Sequence, residues 1–218
     1  MLLTRMLATV LIAATMAAPA PPWNGLPMRT TTSSGVSGDP VNVAFEGTRS
    51  EVLAAFKAIG WLPADKLSVR NDLRMAEAAV LHRSYPTAPI SRLYLFKRMQ
   101  DLGVEHELGS TIARRDHARL WDTGRRDTHT NLELWIGDAA RDTGVEVLFH
   151  HHLPAGTTHH IDANIDAERN LIVQDLRHAG LIRTVAMEPG MGSTNNGRNG
   201  GGDRFFTDGK VAVMVLNP

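Results

Sequence analysis

The chain has 218 residues, contains no cysteine and carries 23 basic and 23 acidic side chains, so its formal net charge is zero. That length can bury a core without metal or disulfide staples. The absence of cysteine excludes disulfides, thiol nucleophiles, zinc ribbons and iron–sulfur clusters, and the balanced charge argues against a nucleic-acid partner. The pairs Arg114-Arg115 and Arg125-Arg126 are isolated and read as solvated loop or strand ends.

Met1-Leu2-Leu3-Thr4-Arg5 is a short basic start, and Met6 to Ala18 is an apolar, Ala-rich run followed by Pro19-Ala20-Pro21-Pro22. This is the layout of a bacterial-type secretory signal. The run falls short of the ~20 residues of a membrane span. Ala18-Pro19-Ala20 has the small-x-small form of a cleavage site, although Pro21 would follow the cut, and Thr15-Met16-Ala17 is the alternative. The expected organisation is a signal peptide over residues 1–20, a flexible Pro/Ser/Thr/Gly linker over 21–38 and one domain over 39–218. The expected location is exported, either periplasmic or secreted, or anchored in the membrane by the N-terminus.

Pro40 to Glu46 alternates and stops at Gly47, as a strand does. Thr48-Arg49-Ser50-Glu51 is a capping box, and Val52, Ala55, Phe56 and Ile59 follow at helical spacing up to the Gly60 stop. A second helix is expected from Ser68, with Val69, Leu73, Ala76 and Val80 as its buried stripe. Tyr85-Pro86-Thr87-Ala88-Pro89 is a stiff connector, and Leu93 to Phe96 reads as a short buried strand. Asp116–Asp122 and Asn131–Gly137 form an expected antiparallel hairpin. Ala118 and Leu120 oppose His117, Arg119 and Trp121; Leu132, Leu134 and Ile136 oppose Glu133 and Trp135. Val145, Val147 and Phe149 suggest a third strand. A helix follows the extended Thr158–Ile161, burying Ile165, Ile172, Leu176 and Ala179 before Gly180. Leu181–Ala186 and Lys210–Leu216 are closing strands around a Gly/Asn-rich loop over 190–203. The fold expected is α+β: a mainly antiparallel mixed sheet of about six to eight strands, with two N-terminal helices and one late helix packed on it. A more open α/β arrangement is the alternative.

Two constellations carry candidate chemistry. His159, His160, Asp162, Asp166 and Glu168 gather imidazoles and carboxylates at a strand-to-helix junction, where a divalent metal ion is the cofactor such a set would hold. Their structural reading is equally direct: Asp162 caps the helix, the acids complement its dipole and Arg169 pairs with an acid one turn away. The second constellation is one sheet face with His117, Arg119 and Trp121 beside Glu133 and Trp135, which Asp142 could join. Stacking and charge there would suit an anionic or sugar-like ligand; alternatively the tryptophans are core. His150-His151-His152 reads as solvated surface that would take Ni or Zn adventitiously. The Gly-rich loop lacks the Lys-Ser/Thr ending of a phosphate loop, and Gly200-Gly201-Gly202-Asp203 is a single copy of a pattern that needs repetition to bind calcium. No G-x-S-x-G elbow is present.

Six segments, in order, resemble the C-terminal domain of the LssY-like family. They are Trp61-Leu62-Pro63-Ala64-Asp65, Tyr85-Pro86-Thr87-Ala88-Pro89-Ile90-Ser91, Leu93-Tyr94-Leu95-Phe96, Leu134-Trp135-Ile136-Gly137 with Arg141-Asp142, His159-His160-Ile161-Asp162 with Asp166-Ala167-Glu168-Arg169, and Thr207-Asp208-Gly209. The resemblance spans roughly residues 39 to 217. It implies a link to a type I secretion locus and, in many members, a domain carried behind membrane regions resembling lipid-phosphate phosphatases or DedA-type proteins. Only the domain is matched, so membrane phosphatase chemistry and catalytic residues are not carried over. Two function classes follow: an exported, non-enzymatic accessory module that binds a small polar ligand or a membrane or secretion-system protein, and a metal-assisted hydrolase using the His159–Glu168 segment, with His160 and Asp162 as ligands and Glu168 or Asp166 as base.

Overall fold

The computed structural model describes residues 22–150 and 153–218. The expected signal peptide, together with His151 and His152, lies outside the described residues. In chain order the elements are β1 (Arg29–Thr31), β2 (Ser37–Pro40), β3 (Val43–Glu46), α1 (Arg49–Ala58), β4 (Leu62–Pro63), α2 (Val69–Val80), β5 (Tyr94–Leu95), β6 (Arg98–Met99) and β7 (Leu102–Glu107). They continue with β8 (Arg115–Arg126), β9 (Glu133–His150), β10 (Leu153–Ile161), α3 (Ile165–His178), β11 (Ile182–Pro189), β12 (Thr194–Arg198), β13 (Arg204–Thr207) and β14 (Lys210–Leu216). None of the described helices is long and apolar enough to cross a membrane.

The three expected helices form, but the α+β assignment does not hold: the chain is mostly β, with 41% strand and 20% helix. The excess comes from stretches that read as loops. The expected linker is one of them. Its Arg29–Thr31 pairs with β2 and β5, and Thr30 is fully buried, donating through Oγ1 to the Asp39 carbonyl at 2.9 Å. A Thr-rich run is well suited to a pleated surface, and its partner Tyr94 is too remote in sequence to be foreseen. Part of the Gly/Asn-rich loop likewise pairs as β12 with β13.

The main sheet runs β11-β14-β3-β9-β8-β7-β4, with β10 also on β9. Its pairings are antiparallel except β14 with β3. The expected strand at Val145–Phe149 is no separate element; it continues β9. Along one edge of β9, β3 pairs as far as Gly137 and β10 resumes from Asp142. The exposed ladder groups between them are satisfied by Asn42. Its amide donates to the Ala139 carbonyl and its Oδ1 accepts from the Ala139 N–H, at 2.9 and 2.8 Å, so the buried backbone there has partners.

Both faces of the sheet are covered. On one, Val43, Phe45, Ala118, Leu120 and Trp135 pack against α1 and α3. On the other, Ala44, Trp121, Leu134 and Ile136 pack against Leu93 and Leu95. α1 carries the capping box, with Thr48 Oγ1 accepting from the Glu51 N–H and Glu51 Oε2 accepting from the Thr48 N–H. Gly60, at φ 87°, ends the helix in a conformation that favours glycine, and Trp61 folds back to 5.2 Å from Phe56. α2 starts after its Ser68 cap as expected, yet its buried residues are Met75, Ala76 and Ala78, while Val69, Leu73 and Val80 face solvent. The helix lies on a separate small cluster with Tyr85, Ala88 and Ile112. Small side chains allow that approach, so apolar spacing foretold the helix but not its buried face.

The β8–β9 pairing also corrects the expected ligand face. Trp121 pairs with Ile136, and Asp122 with Trp135. Directly opposed residues point to the same side, so Trp135 lies on the far face, in the core beneath α1 and α3. Gly137 lets the two strands meet: a Cβ there would come within 2.0 Å of the Arg119 carbonyl oxygen and 2.6 Å of Leu120 Cδ2. Gly137→Ala is therefore expected to destabilise the domain by about 1–3 kcal/mol or more, read as a lower urea midpoint; an unchanged midpoint would show that the strands are not so tightly apposed.

Candidate functional site

The β8–β9 register places Arg115 opposite Asp142, His117 opposite Ala140 and Arg119 opposite Asp138. These residues share the face that further along carries Trp121 and Ile136. From β7, Glu105 lies opposite His117 and Gly103 opposite Arg119. Asp39 comes from β2, Ser91 from the segment before β5, and His159 from the end of β10. Period-two geometry thus turns the alternation Arg115, His117, Arg119 into one polar row, and neighbouring strands add the acids.

The row is closed into a network. Asp142 Oδ2 accepts from Arg115 Nε at 2.8 Å. Arg115 Nη1 donates to Glu105 Oε2 at 2.6 Å and to the Ala88 carbonyl at 3.2 Å. Arg119 Nη1 reaches Asp138 Oδ1 at 2.8 Å, Asp39 Oδ2 at 3.4 Å and His117 Nε2 at 3.1 Å. Its Nε and Nη2 donate to the backbone carbonyl and Oγ of Ser91, each at 2.9 Å. The Nδ1 atoms of His117 and His159 lie 3.2 and 3.1 Å from Asp142 oxygens, within ion-pair reach but off hydrogen-bond alignment. Both rings therefore turn Nδ1 toward one carboxylate and Nε2 toward an arginine, His159 Nε2 lying 3.3 Å from Arg115 Nη2.

Burial sets the protonation of this cluster. It pushes the Glu105 carboxyl up to about 8, against the pull of the Arg115 guanidinium. It pushes Asp138 up to about 6, with Arg119 opposing and Asp39 adding to the rise. Asp142 is subject to the same burial, but His117 and His159 outweigh it and hold the carboxyl well below its ordinary value. Burial lowers the His159 imidazole, which favours its neutral form.

The row floors a cleft of about 200 Å³ that Asp39, His117, Arg119 and His159 help to line, with Thr32, Ser91 and the Asn199–Gly201 turn at its rim. A second cavity of about 340 Å³ shares Ser91, Arg92 and His159 with it. Among the described residues, eight buried side-chain polar atoms have no hydrogen-bond partner, and six belong to this cluster: Asp39 Oδ1, Glu105 Oε1, His117 Nδ1, Asp138 Oδ2, Asp142 Oδ1 and His159 Nδ1. Three of the six, His117 Nδ1, His159 Nδ1 and Asp142 Oδ1, belong to the close His117–Asp142–His159 contacts; the other three, Asp39 Oδ1, Glu105 Oε1 and Asp138 Oδ2, are carboxylate oxygens left unmet, at about 1–3 kcal/mol each.

Of the expected ligand face, the structure brings together His117, Arg119 and Asp142. Trp121 is buried on the same face, its indole N–H donating to the Arg98 carbonyl. Trp135 is core, and half-buried Glu133 pairs with Arg126 at 2.9 Å. The expected metal set disperses. Only His159 reaches the cleft. His160 is exposed and meets Asp203 at 3.0 Å. Asp162 accepts from the Asn164 N–H at 2.9 Å; the N-cap is Asn164, so Asp162 supports the turn before the helix. Asp166 accepts from Thr207 Oγ1 and the Asp208 N–H at 2.6 and 2.7 Å. Glu168 points to Arg141 on the opposite face of the sheet. Among the described residues, the grouping able to hold a metal is instead Asp39, His117 and Asp138, whose ligand atoms lie within 4.8 Å of one another. Sequence reasoning missed Asp39, Ser91, Glu105 and Asp138, and took Arg115, now 2% exposed, for a solvated end. Its alternation with His117 and Arg119 was the available signal.

On the opposite face, Arg141 binds Asp116 Oδ1 at 2.6 Å and Glu168 Oε2 at 3.2 Å. The family model described as LssY C-terminus matches residues 23–211. No curated protein and no solved structure showed a match.

Glu168 makes the helix-side cluster testable. Burial, reinforced by the neighbouring Asp116 carboxylate, pushes it up to about 9. The folded chain then retains a proton that the unfolded chain releases near 4.5. This contribution to stability is fully present below that value and is lost progressively as the pH rises toward about 9. Glu168→Gln mimics the protonated form and should flatten the decline, by more than about 1 kcal/mol between pH 5 and 9 given ~1.4 kcal/mol per pKa unit. Urea midpoints at both pH values check this, and parallel wild-type and variant curves would refute it.

Proposed function

The chain belongs to the LssY C-terminus family, and from that premise we propose that it is an exported, non-enzymatic accessory module of a membrane or secretion system that holds a small polar ligand. The supporting observation is the network beneath one cleft in which three buried carboxylate oxygens, Asp39 Oδ1, Glu105 Oε1 and Asp138 Oδ2, are left without a partner. A purely structural cluster would satisfy its atoms or replace them with apolar side chains. The export half of the proposal rests on the layout of Met1 to Pro22.

The chemistry of the floor bears on ligand class. Asp39, Asp138 and Asp142 face two guanidinium groups, Arg115 and Arg119, whose donors are largely engaged by internal partners. The three aspartates outnumber the two arginines, and few donors remain for an anion. This favours a cationic or neutral polar ligand, and so, of the anionic or sugar-like ligands expected from the sequence, the sugar-like one. The metal-assisted hydrolase reading through His159–Glu168 loses its support, because His160, Asp162, Asp166 and Glu168 each have partners elsewhere.

Thermal shift of the tag-free full chain against ethanolamine, glycine, glucose and inorganic phosphate tests the proposal. Ethanolamine, glycine or glucose should raise the wild-type midpoint. At a hundredfold excess over Kd the gain is about 2.7 kcal/mol, worth at least ~5 °C for a chain of this size. His117→Ala should abolish the shift, and phosphate should give none. No shift with any compound, or shifts that survive His117→Ala, would overturn the proposal.

A further inference from the structure

We propose that Asp39, His117 and Asp138 form a divalent-cation site at the cleft, which Asp39 and His117 line and to which Asp138 is joined through Arg119. The inference deepens the ligand-binding reading and rests on it. Three observations converge. The three side chains bring ligand atoms within 4.8 Å of one another. All are more than nine-tenths buried, at 7%, 2% and 1% exposure. Each carboxylate gives one oxygen to Arg119 and leaves the other, Asp39 Oδ1 or Asp138 Oδ2, buried without a partner.

The surroundings already have the form of an outer ligand shell. His117 turns Nδ1 toward Asp142 at 3.2 Å, which leaves Nε2 as the ring's lone pair. A carboxylate behind a histidine in this way fixes its tautomer and raises its basicity as a ligand. Arg119 is held at Ser91 by Nε and Nη2. It can keep those bonds and its carboxylate contacts while giving up the 3.1 Å contact to His117 Nε2. One imidazole with two carboxylates suits Mn, Fe or Zn better than it suits a soft metal such as Cu(I). The two carboxylates neutralise the ion, and Asp142, bonded to Arg115, offsets one of the two nearby guanidinium groups.

Calorimetric titration of Mn2+ or Zn2+ alone into the tag-free full chain tests this, beside Asp39→Asn, Asp138→Asn and the triple variant His150→Ala/His151→Ala/His152→Ala. The expected result is one ion per chain, bound at least tenfold more weakly by either Asn variant and unchanged in the triple variant. No binding, binding that survives both Asn variants, or binding lost with the histidine tract would overturn the proposal. Pulsed EPR of the Mn2+-loaded triple variant supplies a reading independent of whether the Asn variants fold. Coupling to one imidazole nitrogen is expected, and its absence would refute His117 as a ligand. If no ion binds while the His117-dependent thermal shift persists, the cation site fails and the ligand cleft stands. If the ion binds as expected and the thermal shift is absent, the small-molecule reading fails and the cation site stands.

Discussion

The pairing of β8 with β9 is the constraint on which the rest depends. In this register Arg115 meets Asp142 and Arg119 meets Asp138 in a buried strip of sheet. A slip of one residue in β8 would send Arg115 and Arg119 to the helix-covered face and leave Asp138 and Asp142 behind without them. Burying charge is costly, by several kcal/mol per ion before the attraction between partners is counted. What offsets the cost is continuity: the same two strands carry Trp121, Leu134 and Ile136 into one apolar cluster and Ala118, Leu120 and Trp135 into another. Gly137 allows the close approach, and Asn42 completes the edge where β3 ends.

Two polar clusters therefore sit back to back across one pair of strands. Odd positions of β8 and even positions of β9 supply the cleft; Asp116 and Arg141, on the other face, meet Glu168 from α3. They differ in kind. The helix-side cluster has no cavity among those described and anchors α3. The cleft cluster opens to a cavity and, among the described residues, holds six of the eight buried polar atoms without a hydrogen-bond partner, three of them carboxylate oxygens with no close partner at all. Buried ion pairs are weak evidence for stability, so the open cluster, with its unmet atoms, is where function is best sought.

The segment from His159 to Arg169 is built mainly as a joint. Asp166 and Arg169 both reach the turn between β13 and β14, with Arg169 Nη1 donating to Asp208 Oδ1 at 2.8 Å. The Phe206 N–H donates to the Ala163 carbonyl at 2.8 Å. This segment and Thr207-Asp208-Gly209, two of the six resembling segments, thus meet in space. Of its imidazoles, only that of His159 reaches the cleft, because neighbouring residues of an extended chain point to opposite sides.

Local signals were enough for much of this. The Thr48–Glu51 capping box, the Ser68 cap, the glycine stops and the alternation of Arg115, His117, Arg119 and Trp121 are written in adjacent residues, and they set helix ends and side-chain direction by short-range geometry. The balanced charge, the absence of cysteine and the family resemblance also came from the sequence by itself. Only the tertiary structure decided which face of α2 is buried, that residues 29–31 and 37–40 join a sheet, and that Trp135 lies across the sheet from Trp121. It also decided the membership of the site: Asp39, Glu105 and Asp138 are ordinary isolated acids in the sequence. They become a cluster because strand register, a relation between distant segments that no local pattern encodes, sets them around Arg115, His117 and Arg119.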